Sequence, residues 1–95
     1  MNDLEERLRL LRRRFVEQAA ADSRAIAGHL DAGRWQAIRD ASHSLAGRAG
    51  MFGFASLTDA ARRLEEAIDA GAEPDQLRRR TESLIASLGD VDVSP

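Results

Sequence analysis

The chain contains no cysteine, which excludes a disulfide framework and a thiolate metal site. It contains no lysine either, and all of its basic residues are arginine. Aromatic residues make up only 4% of the chain, so a core has to be assembled from leucine, isoleucine and alanine, which favours helices. No apolar run approaches the length of a membrane span, and no signal-peptide pattern opens the chain, so a cytoplasmic protein is expected. The formal net charge of −2 argues against nucleic acid as a partner. No phosphate-cradling glycine loop, nucleophile elbow or paired-carboxylate motif occurs, so the chain has no evident means of binding ATP or of phosphorylating itself.

What is present suits one small helical domain. Ninety-five residues can bury a modest core, and 43% hydrophobic against 32% charged residues fits a globular chain. Leu4, Leu8, Leu11, Phe15, Ala19, Ile26 and Leu30 repeat at helical spacing. They predict one long helix from Asp3 to Leu30, capped by Asn2 or Asp3, with a break possible at Ala21-Asp22. Arg7, Arg9, Arg12, Arg13 and Arg14 cluster on it, as a solvated face or as a patch for an acidic partner. A second helix is expected from Arg34 or Trp35 to Phe52, with Trp35 packed on the first. A third runs from Phe54 or Ala55 to Asp69 or Ala70, with Ser56 as an early cap and Leu57, Ala61, Leu64 and Ile68 inside. Pro74 opens a fourth, carrying Leu77, Thr81, Leu84, Ile85 and Leu88 and stopped by Gly89. Short connections imply antiparallel neighbours: an all-α, up-down four-helix bundle with a long N-terminal helix, over residues 1–90, followed by a flexible tail at 91–95. A monomer is expected.

One stretch of the second helix stands apart. With Ile38, Leu45, Ala49 and Phe52 facing the core, His43 falls roughly 160° away from the middle of that side. Gly47 and Gly50 follow it at one and two turns, on the same outer face. Each internal glycine costs a helix about 0.5–1 kcal/mol relative to alanine. Two of them beside an exposed histidine leave room for another backbone to reach the imidazole. Gly53, just past Phe52, suits a left-handed cap. A neutral imidazole is a nucleophile, and histidine is largely neutral near pH 7. His29, by contrast, lies at the edge of the first helix's apolar stripe, where boundary packing accounts for it. Two distant histidines without cysteine do not make a metal site.

His43-Ser44-Leu45-Ala46-Gly47, then Gly50, Phe52-Gly53-Phe54, Leu57 and Leu64-Glu65, resemble the histidine-containing phosphotransfer (HPt) domain, most closely that of chemotaxis-type histidine kinases. The resemblance implies a bacterial phosphorelay intermediate, a carrier rather than a kinase. His43 would accept a phosphoryl group and pass it to or from the aspartate of a response-regulator receiver domain. The donor would be a receiver or a sensor or hybrid histidine kinase. No cofactor is implied beyond Mg²⁺ held by the partner receiver. Glu65 matches the family's glutamate that hydrogen-bonds the phosphorylatable histidine, and Arg62 a polar position next to it. On the third helix both share a flank with Thr58, whereas Arg63 points the other way.

There is one departure. The family usually carries lysine three residues after the histidine, where this chain has Ala46. Arg39 shares that flank one turn before His43 and is a better substitute than Arg48, which lies about 140° around the helix. Arg62 is the competing candidate. The missing lysine also keeps open an adaptor that docks receivers without carrying phosphate. An acid–base enzyme using His43 and Glu65 would need a pocket that an outward helix face does not provide.

Overall fold

The structure, a computed structural model, describes residues 2–91. Four helices follow in order: α1 (Asp3–Asp31), α2 (Trp35–Met51), α3 (Ala55–Asp69) and α4 (Pro74–Gly89). Each packs against its neighbours in the chain, and α4 closes back onto α1, giving an up-down bundle around one core. That core is aliphatic, as the scarcity of aromatics requires. Ile26, Ile38, Leu45, Leu64 and Leu84 are its largest fully buried apolar side chains, with Ala46, Ala49 and Ala61 letting the helices approach.

The helix ends follow local chemistry. Asn2 caps α1, its Oδ1 accepting the Glu5 amide at 2.8 Å. At the α2 C-terminus, Gly53 adopts φ +81°, which lets the Phe54 amide donate to the Ala49 carbonyl at 3.0 Å and closes the helix. The expected cap Ser56 is not one: α3 starts at Ala55 after Phe54, with no side-chain cap, and Ser56 lies inside the first turn. The α1 helix runs through Ala21-Asp22 without a break. Trp35 is half-buried against the core. Val91 is also partly buried there, so the bundle extends one residue into the expected tail; residues 92–95 lie outside the described residues.

The largest difference from expectation is in α1. Its 29 residues span about 43 Å, whereas the other helices have 15 to 17 residues, or about 22–26 Å. Phe15 is its first buried residue. There it meets the α2–α3 turn, with ring centroids 5.8 Å from Phe52 and 5.3 Å from Phe54, and Arg12 lies over the Phe54 ring at 4.6 Å. Among the described residues, the three turns before Phe15 bury no side chain. Leu4, Leu8 and Leu11 continue the apolar stripe but are 64%, 43% and 42% exposed. The pattern of α1 is right and its burial ends early.

Burial therefore sets different costs along equivalent-looking leucines. Leu64→Ala should lower unfolding free energy by about 2–5 kcal/mol. Leu8→Ala should change it by no more than about 0.5 kcal/mol, read by urea denaturation of both variants.

Candidate functional site

The site follows from how α3 lies on α2. The helices run antiparallel, so a turn forward along one is met by a turn back along the other. His43 sits opposite Glu65, Arg39 opposite Asp69, and Gly50 opposite Thr58. Arg39 and His43 are neighbours one turn apart on α2, and Glu65 and Asp69 are their counterparts on α3. The result is a polar ladder along one seam of the bundle.

His43 is 70% exposed, the outward position the helical phase predicts. Its Nδ1 lies 2.6 Å from Glu65 Oε2. Glu65 is only 16% exposed, so its carboxylate is held between the helices while the imidazole stands outside. With Glu65 ionised, Nδ1 carries the proton and donates, and the lone pair is left on Nε2. The structure thus brings together two residues 22 positions apart that the sequence reading had paired.

Arg39 lies on the same flank, but its guanidinium is already engaged. Nε donates to Asp69 Oδ1 at 3.1 Å and Nη2 to Asp69 Oδ2 at 3.3 Å, a bidentate fork. Nη2 is also 3.8 Å from Glu65 Oε2, and Nη1 is 3.6 Å from Asp40. The hydrogen bond to Asp69 and then its charge raise the Arg39 pKa above the ordinary arginine value, with smaller contributions from Glu65 and Asp40. Arg48 points away, as its phase requires: Nη1 donates to Asp22 Oδ2 of α1 at 3.3 Å. Arg62 is exposed and makes no ion pair among the described residues. By the same register it stands level with Ala46. Ala46 itself is buried against the core, so this level of the seam has a small residue on α2 and a free arginine on α3. His29 is a boundary residue, accepting at Nδ1 from Arg34 Nε.

The two glycines differ. A Cβ on Gly47 would meet nothing within 4 Å, so no packing inside the domain demands glycine there. A Cβ on Gly50 would make ordinary contact with Thr58, at 3.7 Å from Oγ1. Gly47 alone therefore borders open space beside His43. An apolar groove at the α1–α2 end, lined by Leu11, Phe15, Met51 and Phe52 among others, does not include His43.

Two members of this neighbourhood were not foreseen. Asp69 could have been found from spacing, since Glu65 and Asp69 repeat the interval of His43 and Arg39 in reverse. Ser42, next to His43 in the chain, is fully buried, its Oγ without a partner among the described residues, and a lone serine in a helix gives no sequence signal of that.

The glycine geometry is testable by stability alone. Gly47→Ala should raise unfolding free energy by about 0.5–1 kcal/mol, because alanine is the better helix former and nothing obstructs it. Gly53→Ala should lower it by about 1–2 kcal/mol, since φ +81° disfavours a Cβ. Thermal unfolding of the pair reads both signs.

Comparisons with curated proteins and with solved structures give no match. A family model does match, that of the Hpt domain, over residues 10–91. The match takes in all of α2, α3 and α4 and the buried part of α1, hence the whole ladder around His43. On that match the chain belongs to the Hpt domain family.

Proposed function

We propose that His43 is the phosphoryl acceptor of this domain and that it exchanges the group with the aspartate of response-regulator receivers. Hpt domains are phosphocarrier modules of two-component signalling rather than kinases, and they work with response-regulator and kinase components. The observation that carries the finer reading is the exposed imidazole whose Nδ1 is held by a largely buried carboxylate.

The chemistry follows from that bond. The Nε2 lone pair attacks the phosphorus of an aspartyl phosphate on the partner. A P–N bond forms, the P–O bond breaks, and the aspartate carboxylate leaves with the electron pair. The ring, still carrying its Nδ1 proton, becomes cationic, and the adjacent Glu65 carboxylate compensates that charge. The reverse sequence returns the phosphoryl group to a second receiver. Any Mg²⁺ belongs to the receiver, and the exchange takes place in the cytoplasm beside the partner proteins. The role of Gly47 is clearance for the partner's backbone.

The phosphoryl group brings close to two negative charges to the outer face of α2. Arg39 is committed to Asp69 and Arg48 to Asp22. Arg62, level with the position where the family usually has lysine, is the cation we assign to it. The buried Ala46 also favours a second reading, an adaptor that docks receivers without being phosphorylated.

Incubation with a phosphorylated receiver separates the two. Wild-type chain should take up acid-labile phosphate, and His43→Gln should take up none while remaining helical by circular dichroism. Label persisting in His43→Gln excludes the assignment; receiver binding without label in the wild type supports the adaptor. Gly47→Leu should block uptake despite leucine's better helix propensity. Arg62→Ala should slow transfer severalfold to about tenfold, the scale of a partly exposed charge contributing about 1 kcal/mol, and more than Arg48→Ala does.

A further inference from the structure

Asp69 is electrostatically misplaced for its own helix. It is the last residue of α3, whose last turn contains no basic residue. A carboxylate at a helix C-terminus faces the negative end of the dipole, at a cost of about 0.3–1 kcal/mol. Among the described residues its hydrogen bonds lead to α2: both oxygens take the Arg39 fork, at 3.1 and 3.3 Å. Arg39 in turn stands over Glu65. Its Nη2 is 3.8 Å from Oε2, the same oxygen that His43 Nδ1 meets at 2.6 Å. One carboxylate oxygen therefore has two suitors, the imidazole N–H and the guanidinium. The fork to Asp69 engages Nε and Nη2 and leaves Nη2 at 3.8 Å from Oε2, in ion-pair range but beyond hydrogen-bond distance.

We infer that Asp69 is a positioning residue: by clamping Arg39 it keeps Glu65 Oε2 free to hold the Nδ1 proton of His43. The inference deepens the phosphoryl-acceptor reading and rests on it for its functional consequence. Glu65 meets the imidazole directly; by helical phase and register, the other charged groups on that side of the seam are Arg39 and Asp40 on α2 and Arg62 and Asp69 on α3. Of the carboxylates open to a released Arg39, Asp40 is 64% exposed and already accepts from Gln36 Nε2 at 3.2 Å, whereas Glu65 is 16% exposed. The less hydrated carboxylate attracts the guanidinium more strongly. Without Asp69, Arg39 closes onto Glu65 and displaces the imidazole. His43 then reverts to the solvent preference of a neutral imidazole side chain, the proton on Nε2, which is the nitrogen that must attack.

The two halves of one ion pair are thus predicted to act in different ways. A clamp that only joined α2 to α3 would give the same effect from either side. Removing Asp69 frees a competitor for Glu65, and removing Arg39 deletes it.

Ring-nitrogen chemical shifts of ¹⁵N-histidine-labelled full chain, at a pH where His43 is neutral, report the share of the Nδ1–H tautomer without any phosphoryl donor. Wild type should be mainly Nδ1–H. Asp69→Ala should move His43 to mainly Nε2–H and slow its phosphorylation severalfold. Arg39→Ala should keep the Nδ1–H form, and Arg39→Ala/Asp69→Ala should restore it. Asp69→Glu should fall between wild type and Asp69→Ala. Asp69 is 53% exposed, and circular dichroism will show each variant folded. An unchanged tautomer in Asp69→Ala, or equal loss in Arg39→Ala, overturns the inference. A tautomer that shifts as described in a chain that no receiver phosphorylates upholds the clamp and refutes the acceptor reading instead.

Discussion

The seam between α2 and α3 tolerates no slip. A displacement of one helix turn, about 5.4 Å, would carry Glu65 past His43 and Asp69 past Arg39 together, because both pairs share one antiparallel register. That register is set by apolar contacts that have nothing to do with phosphate. Ile38, Leu45 and Ala49 on α2 and Leu57, Ala61 and Leu64 on α3 are buried on the inner side of the same interface. The small residues Ala46, Ala49 and Ala61 bring the backbones close, and the polar ladder rides on the rim. The geometry of the His43–Glu65 and Arg39–Asp69 pairs is in this way fixed by packed helices rather than by a loop.

The electrostatics of the seam are arranged across helices, not along them. The C-terminal half of α3 carries Glu65, Glu66 and Asp69 with no basic residue in its last turn, which the helix dipole disfavours. The compensation comes from α2, where Arg39 forks onto Asp69 and His43 meets Glu65. The imidazole has a carboxylate already oriented beneath it, so under the proposed phosphorylation little reorganisation would accompany the charge that develops on the ring. The outer nitrogen, meanwhile, is left to solvent, beside the open space at Gly47.

Much of this was legible in the chain. Helical periodicity placed His43 outward, Arg48 toward a neighbouring helix and Glu65 with Thr58 on one flank of α3, because all three depend only on phase within a helix. The family resemblance, not spacing alone, joined Glu65 to His43. Two matters could not be read that way. The stripe Leu4, Leu8 and Leu11 is indistinguishable by pattern from the buried Phe15, Ala19 and Ile26. Only the lengths of the other helices show that the bundle stops at Phe15. The engagement of Arg39 with Asp69 joins positions 30 residues apart and depends on inter-helix register, which a single helical wheel does not contain.

The central claim is that Glu65 holds Nδ1 so that Nε2 of His43 reacts. The most direct measurement is the attachment site in the phosphorylated chain, from ³¹P and ¹⁵N spectra of histidine-labelled protein charged by a phosphorylated receiver. The account predicts a single phosphohistidine, at position 43, with phosphorus bonded to Nε2 and a proton retained on Nδ1. Phosphorus on Nδ1 of His43, or on His29, would contradict it.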